Sequence, residues 1–366
     1  MAPRKEERKR RWWKIPLVIL LVIVLVVGGY VGYVFGTYDR IEDNQDLEVT
    51  HRANEEAQTG ETYTVVSYNI GFGAYTADFT FFMDGGKESR ARSKESVITC
   101  VEGTTDTALS YEPDFVLFQE VDTDSTRSHH VDESALILER IAGNGDFDST
   151  FAQNYHSAYL MYPFTQPHGA SNSGLLTISK KGISSALRRS LPIATDVKKI
   201  LDLDRCYCIN RIPVSNGKEL ILVNLHLSAY GTDAAQGNAQ LEMLFADMQK
   251  EYEKGNYVIC GGDYNHDFTG DSRQALNPNT DEEYSWCHAF PDEILPEGFV
   301  KHTEYADGLV STSRNTNIPY CEDSFTVVLD GFITTDNVTC EYVQNIDTGY
   351  TYTDHNPVVM KFRLEP

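Results

Sequence analysis

The sequence predicts an α/β domain in which two β-sheets pack on each other with helices outside, preceded by one transmembrane helix. Three observations support this fold class. An uncharged apolar run covers residues 15–35. From residue 62 onward, short runs rich in Val, Ile, Leu and aromatic residues recur along the chain. Helical patterns lie between these runs at first, and strands then dominate toward the C-terminus.

The apolar run near the N-terminus is long enough to cross a membrane. At about 1.5 Å per residue, a helix over residues 15–36 spans a hydrocarbon core of about 30 Å. A buried soluble helix rarely stays apolar on every face for this length. A cleaved signal peptide usually has an apolar region of about 7–15 residues and an A-x-A-like site, whereas this run is longer and no such site follows. The sequence therefore predicts a retained anchor.

The charges around this run predict its orientation. Residues 1–14 contain seven Lys or Arg and two Glu, and basic clusters stay on the cytoplasmic side. Trp12 and Trp13 suit the membrane interface there. We therefore expect a basic cytoplasmic tail over residues 1–14, a span over 15–36 and a polar linker over 37–60. The folded domain, residues 61–366, would lie outside the cell membrane.

The overall charge limits the classes of partner. The chain of 366 residues has 31 Lys and Arg against 54 Asp and Glu, giving a formal net charge of −23. Because the first 14 residues are basic, the remainder is still more acidic. Such a surface repels a polyphosphate, which argues against a dedicated nucleic-acid surface. A site that holds divalent cations reverses the field locally. The sequence assigns no oligomeric state, and the odd number of cysteines, seven, leaves at least one unpaired.

The predicted strands and helices alternate through the domain. Each strand has the length and composition of a buried strand, and the helix Glu133–Ala142 has apolar residues three and four apart. The predicted strands are Thr62–Asn69, Asp114–Glu120, Leu175–Ser179, Leu220–His226, Tyr257–Asp263, Phe325–Asp330 and Val358–Phe362. The predicted helices are Ser93–Tyr111, Glu133–Ala142 and Ala234–Tyr252.

Polar residues of only four types follow or border six of these strands. They are Asn69, Glu120, His226, Asp263 with Asn265, Asp330, and Asp354 with His355. One polar residue at the end of one strand usually marks only a turn, since Asn and Asp favour turns. Six such endings indicate one site at the edge of a sheet. Carboxylate and amide oxygens suit a hard cation, Mg²⁺ or alternatively Mn²⁺ or Ca²⁺. Together with imidazoles, they are typical of water attack on a phosphate ester.

The motifs around these residues resemble those of the endonuclease/exonuclease/phosphatase superfamily. In order they read "VVSYNIGFG", "DFVLFQEVD", "NLHLSAYG", "GGDYNHD", "VVLDGF" and "TDHNPVVM". The resemblance spans about residues 62–364 and implies a four-layer α/β sandwich of two mixed sheets flanked by helices. Abasic-site endonucleases of this superfamily carry an acid two residues after the first Asn, and Gly71 stands there instead. This departure argues against that branch.

The resemblance also implies a role for each polar residue. Glu120 is the principal metal ligand, with Asn69 beside it and Asp354 near the same or a second cation. Asp263 orients or deprotonates the attacking water. Asn265 and His226 donate hydrogen bonds to phosphoryl oxygens, and His355 contacts the phosphate while Asp330 holds its ring. In the loop after Glu120, Arg127 and His130 either contact phosphate or belong to a solvated loop.

These observations predict a membrane-tethered, metal-dependent hydrolase of phosphate esters. We expect a phosphodiesterase that acts on a phospholipid or a small phosphodiester, and an extracytoplasmic nuclease is the alternative. A non-catalytic surface binding module on the same fold is an alternative of another class. Every metal and histidine position of the family is filled, which favours an enzyme.

Overall fold

The computed structural model describes residues 12–193, 199, 204–229, 234–279 and 287–366. Its α-helices are α1 (Lys14–Gly36), α2 (Lys94–Leu109), α3 (Glu133–Ile141), α4 (Ala234–Glu253) and α5 (Ser272–Leu276). The first eight strands are β1 (Gln45–Leu47), β2 (Val49–Thr50), β3 (Thr62–Asn69), β4 (Phe115–Asp122), β5 (Asp148–Leu160), β6 (Gly169–Ser179), β7 (Ser185–Ser190) and β8 (Cys206–Pro213). The others are β9 (Glu219–His226), β10 (Tyr257–Asp263), β11 (Phe299–Lys301), β12 (Ser313–Arg314), β13 (Thr326–Val327), β14 (Asp330–Thr335), β15 (Val338–Asn345) and β16 (Val358–Leu364).

Two mixed sheets of seven strands form the centre of the domain. One has the order β15-β16-β3-β4-β6-β5-β2 and the other β1-β7-β8-β9-β10-β14-β11. Apolar side chains of both sheets, among them Val65, Phe115, Leu222 and Ile259, form one buried cluster between them. The predicted arrangement of two packed sheets is therefore confirmed.

Helices cover both outer faces, which completes four layers. Val97 of α2 and Ile137 of α3 pack in one cluster with residues of β3 and β4. Leu241 and Leu244 of α4 pack in another cluster with residues of β9 and β10. Local sequence sets where two of these helices begin, because the side chains of Ser93 and Asp132 accept hydrogen bonds from backbone N–H groups of the first turns of α2 and α3.

The segment predicted as a polar linker, residues 37–60, is partly built into the domain. β1 pairs with β7 at the edge of one sheet, and β2 pairs with β5 at the edge of the other. The backbone N–H groups of Arg52 and Ala53 donate to Asp148, and Ala57 is fully buried. Residues 45–57 therefore pair with and pack on the domain, where the sequence predicted only a polar linker. Short edge strands obtain their hydrogen bonds from a neighbouring strand and need few apolar residues, so the pattern of this segment did not show them.

The predicted strand Phe325–Asp330 is also wrong in its bounds. β13 covers only Thr326–Val327, and a separate strand, β14, begins at Asp330. Asp330 therefore starts a strand instead of ending one. Because β14 runs antiparallel to β10, its first residue still lies opposite the last residue of β10, Asp263.

Helix α1 is apolar and exposed along its length, with only Val34 buried. Within the described residues it is the one helix long and apolar enough to cross a membrane. A membrane anchor and a signal sequence share these properties. At its C-terminal end, Tyr30 and Tyr33 hydrogen-bond to the hairpin formed by β5 and β6.

Candidate active site

The sheet topology brings the predicted polar residues to one edge of the sandwich. β3 is parallel to β4, and Asn69 pairs with Gln119, the neighbour of Glu120. β9 is parallel to β10, so that Asp263 pairs with His226. β16 is antiparallel to β3, which places the residues just before β16, Asp354 and His355, at the same edge. Apart from Asn69 and Asp330, which lie beside it, all predicted site residues line one cavity of about 330 Å³.

His355 and Asp330 form a buried hydrogen-bonded pair. The Nδ1 atom of His355 lies 2.8 Å from Oδ2 of Asp330, and its Nε2 atom lies 3.8 Å from Oδ2 of Asp263. Burial by itself lowers the pKa of His355, but the charge and hydrogen bond of Asp330, with the charges of Asp263 and Asp354, raise that pKa to about 10. The ring is therefore a cation at neutral pH, and it faces the cavity.

Asp263 lies at the centre of the site. Its Oδ1 atom accepts from the backbone N–H of Asn265 at 2.9 Å, and its Oδ2 atom accepts from Nδ2 of Asn69 at 3.2 Å. Burial and the negative charge of Asp330 raise the pKa of Asp263 to about 7, although His355 and the Asn265 N–H act in the opposite direction. A carboxylate with this pKa is suited to accept a proton near neutral pH.

Backbone geometry at Asp263 requires glycine immediately before it. Gly262 has a φ of +143°, and a Cβ atom there would come within 2.1 Å of the carbonyl oxygen of Leu225. Asn265 also has a positive φ, +49°. Its Nδ2 atom donates to the carbonyl of Leu227 at 2.8 Å, which fixes the amide. The other N–H of the same nitrogen is available for a phosphoryl oxygen.

His226 faces the carboxylates from the neighbouring strand. Its Nε2 atom is 3.4 Å from Oδ2 of Asp263 and 4.0 Å from Oε1 of Glu120. Burial, reinforced by the nearby positive charges of Arg205, His355 and Arg127, lowers the pKa of His226 well below its ordinary value. The neutral ring has one N–H to donate, as the expected contact to a phosphoryl oxygen requires.

An irregularity in β4 turns Glu120 toward the cavity. The pairing of β4 with β6 shifts between Phe118 and Val121, and Glu120 has a φ of +56°. Its Oε1 atom accepts from Nδ2 of Asn69 at 3.3 Å, while Oδ1 of Asn69 accepts from the N–H of Gly71. Asn69 thus links two carboxylates as a donor. Its amide oxygen accepts one hydrogen bond from the backbone and keeps a second lone pair, and the contact of Asn69 with a cation stays a prediction.

The donor set fits a hard divalent cation. Glu120, Asp263 and Asp354 are carboxylates around one cavity, which is the ligand type that Mg²⁺, Mn²⁺ and Ca²⁺ prefer. Burial raises the pKa of Asp354 to about 6, and the charge of Glu120 adds to this effect. A cation among these carboxylates would remove the repulsion between them. The small residue Gly71 leaves room beside them, since a Cβ atom there would meet Oδ1 of Asp354 at 2.9 Å.

Three arginines line the same cavity: Arg127, Arg205 and Arg314. Arg127 is held by Asp122 through its Nε and Nη2 atoms, at 3.0 and 2.8 Å, and its guanidinium lies 4.0 Å from the ring centroid of Phe72. The sequence pointed to Arg127 but missed the other two, since no pattern in the loops before β8 and at β12 marks them. His130 is exposed and lies beside Asp124, which agrees with the solvated-loop alternative for that residue.

Comparisons with known proteins agree with this architecture. The model of the Endonuclease/Exonuclease/phosphatase family matches residues 66–355. No curated protein matches the sequence with significance. Among solved structures, an endonuclease/exonuclease/phosphatase from Beutenbergia cavernae is similar, with a TM-score of 0.55 and 14% identity, covering 83% of this chain and 72% of that one.

Two further structures are similar at the same level. ANGEL2, a 2′,3′-cyclic phosphatase in complex with adenosine-2′,3′-vanadate, has a TM-score of 0.55 and 15% identity, covering 89% of this chain and all of that one, 100%. TDP2 from D. rerio, complexed with a single-strand DNA product, has a TM-score of 0.51 and 15% identity, covering 83% and 99%. At this identity the likeness shows the fold alone.

Proposed function

Because this chain belongs to the endonuclease/exonuclease/phosphatase family, we propose that it is a divalent-metal-dependent hydrolase of a phosphodiester. One observation carries the proposal. Buried Asp263 lies within 4 Å of the imidazoles of His226 and His355. Its own pKa is raised to about 7, while the pKa of His226 is lowered toward the neutral ring and that of His355 is raised toward the charged ring. This set provides a proton acceptor and two groups that bind phosphoryl oxygens at one point.

Each residue has a separate role in the attack of water on the phosphorus atom. Asp263 accepts a proton from the water as its oxygen forms a bond to phosphorus. His355, charged and held by Asp330, together with the N–H groups of His226 and Asn265, stabilises the negative charge on the phosphoryl oxygens. The ester P–O bond opposite the water breaks, and the departing alkoxide takes up a proton from solvent. The products are an alcohol and a phosphomonoester.

A divalent cation completes the proposed site. Glu120 and Asp354 would hold it, with Asn69 orienting Glu120 from the side. Mg²⁺ is the first choice, and Mn²⁺ or Ca²⁺ are alternatives. When bound, the cation supplies positive charge that neutralises the phosphate and favours the departure of the alkoxide.

We further propose that α1 is a retained anchor and that the folded domain lies outside the cell membrane. The length and hydropathy of α1 support a membrane span. An extracytoplasmic nuclease is the second candidate, and the similarity to a TDP2 structure with a DNA product supports it. The net charge of −23 speaks against long nucleic acids, because they are repelled by an acidic surface. A binding module without catalysis is least consistent with a complete site.

The substitution Glu120→Gln tests the proposed function. It keeps the size of the side chain but removes the charge assigned to the cation, so hydrolysis of bis(p-nitrophenyl) phosphate with Mg²⁺ should fall by about 10²–10⁴-fold. Glu219→Gln is the matched control, since the side chains of Glu120 and Glu219 are similarly exposed, 26% and 34%. This control should keep wild-type activity. Full activity of Glu120→Gln, or of the wild type in excess EDTA, would show that the proposed site is wrong.

A further inference from the structure

We propose that the tip of the β5–β6 hairpin, residues 159–164, docks on the lipid surface beside α1, and that the substrate is a phosphodiester lipid of that membrane. The proposal rests on the phosphodiesterase function proposed above and names the substrate class for it. It is carried by three observations: the exposure of the hairpin tip, its bonds to α1, and the aromatic wall that connects it to the catalytic residues.

The hairpin tip exposes large apolar side chains. Phe164 is 80% exposed, Tyr162 64%, Met161 44% and Tyr159 40%. An exposed cluster of this kind on one loop is typical of an interaction site with a protein or a membrane. Aromatic residues with a polar atom, such as the two tyrosines, are enriched at the interface between lipid and water.

The contacts with α1 hold the hairpin tip beside the last two turns of that helix. The hydroxyl of Tyr30 accepts from the N–H of Met161 at 2.9 Å and donates to the carbonyl of Tyr159 at 3.3 Å. The hydroxyl of Tyr33 accepts from the N–H of Tyr159 at 3.3 Å. At about 1.5 Å per residue, Tyr30 lies about 9 Å before the end of α1 at Gly36. If α1 spans a bilayer over residues 15–36, the tip therefore passes the head groups and reaches about 9 Å inside the end of the span. This position favours lipid over a protein as the occupant.

A continuous aromatic wall leads from the tip into the cavity. Neighbouring ring centroids along it are 4.9–6.3 Å apart. The rings are those of Phe164, Tyr162, Phe82, Phe81 and Phe72, in order from solvent to the interior. The innermost ring lies under the guanidinium of Arg127, which lines the catalytic cavity.

The cavity joins the membrane side to the catalytic side. Tyr30 of α1 and Leu160 of the hairpin line it together with Glu120, Asp263 and His355. A lipid whose phosphate reaches Asp263 can keep an apolar chain along the aromatic wall toward the bilayer. The exposed outer rings, Tyr162 and Phe164, have no comparable role for a small hydrophilic phosphodiester, which would leave them in contact with water.

The test uses the full chain reconstituted in vesicles of phosphatidylcholine, phosphatidylethanolamine and sphingomyelin with Mg²⁺. Phosphorus NMR follows the conversion of lipid phosphodiester to phosphomonoester, and bis(p-nitrophenyl) phosphate reports soluble hydrolysis in the same sample. Phe164→Glu should lower the lipid rate about 10-fold or more and leave the soluble rate unchanged, because a charge replaces the apolar contact with lipid. Val300→Glu, on the exposed edge strand β11 of the other sheet, should leave both rates unchanged.

A second measurement detects docking of the hairpin tip on lipid independently of catalysis. Brominated lipids should quench the added tryptophan in Phe164→Trp and not the one in Val300→Trp, each measured against the wild-type tryptophans. The lipid proposal is overturned if the tryptophan at 164 is not quenched, if Phe164→Glu lowers neither rate or both equally, or if the wild type hydrolyses the soluble diester and leaves all three lipids intact. If the wild type hydrolyses neither the lipids nor the soluble diester while the tryptophan at 164 is still quenched, the proposed phosphodiesterase function is wrong. The docking surface is supported in that case.

Discussion

At the scale of single residues, the site depends on two buried histidines with different charges, one neutral and one positive. Burial lowers the pKa of each ring, but only His355 has a carboxylate, Asp330, bonded to its Nδ1 atom. The pKa of His355 therefore rises while that of His226 falls. The two rings then differ in function, since one supplies a full positive charge and the other a neutral donor.

This dependence predicts the result of a double-mutant cycle. If Asp330 acts through His355, then Asp330→Ala and His355→Ala should each cost nearly what the double variant costs in kcat/KM with bis(p-nitrophenyl) phosphate. Each loss should be about 10²–10⁴-fold. Losses that simply multiply would show that the residues act independently, and Asp330 would not be the partner of His355.

The residue types at the site and, through the family resemblance, the pairing of Asp330 with His355 could be predicted from the sequence, whereas the hydrogen bonds of Asn69 could not. Six strands with polar borders identified Glu120, Asp263 and the others, because strand termini collect at sheet edges. The orientation of Asn69, whose amide nitrogen faces two carboxylates, depends on its bond from the Gly71 N–H. Arg314 was missed, since it enters the cavity from the two-residue strand β12, which has no recognisable pattern.

At the scale of elements, strands with continuous apolar runs were predicted, whereas β5, β7, β8, β15 and the short edge strands were not. Strands such as β3 and β10 are buried through most of their length and have continuous apolar runs. β1 and β2 are two or three residues long and largely exposed, so hydrogen bonds to β7 and β5 decide their structure. Pairing between distant segments leaves no local periodicity to detect.

Helix α4 is tied to the sheet beneath it by a carboxylate whose titration is measurable. Burial by itself raises the pKa of Glu251, but hydrogen bonds from Arg211, Lys254 and Asn256 and the charge of Arg211 lower it to about 2, from an ordinary value of 4.5. A carboxyl group with a depressed pKa stabilises the folded state above its unfolded pKa. This contribution is lost as pH falls from about 4.5 toward about 2.

We therefore expect Glu251→Gln to lower the Tm by several degrees at neutral pH, with each kcal/mol of lost stability worth about 2–4 °C. The difference from the wild type should shrink as pH falls below about 4.5. Glu253→Gln, at an exposed position of the same helix, is the control and should change the Tm little at any pH. Calorimetry across this range measures both variants. A constant difference at all pH values would mean that charge on Glu251 does not stabilise α4.

At the scale of the whole molecule, charge and hydropathy are separated along the chain. The basic N-terminus precedes an apolar helix, and the rest of the chain is strongly acidic. The alternation of strands and helices predicted the two packed sheets, because burial between layers selects continuous apolar strands. The contact between α1 and the β5–β6 hairpin could not be predicted, since it depends on hydroxyl–backbone bonds between segments far apart in sequence.

This separation predicts a single-pass topology with the N-terminus inside the cell, because Lys and Arg clusters stay on the cytoplasmic side. A chain tagged at both ends is expressed, and protease is added to intact cells. The C-terminal tag and residues beyond about 38 should be removed, while the N-terminal tag stays protected until the cells are permeabilised. A cleaved signal sequence would instead separate the two tags before any protease is added. Protection of the folded domain together with cleavage of the N-terminal tag would show the opposite orientation. That outcome would place the site on the cytoplasmic face, and a membrane lipid would then have to reach it from the inner leaflet.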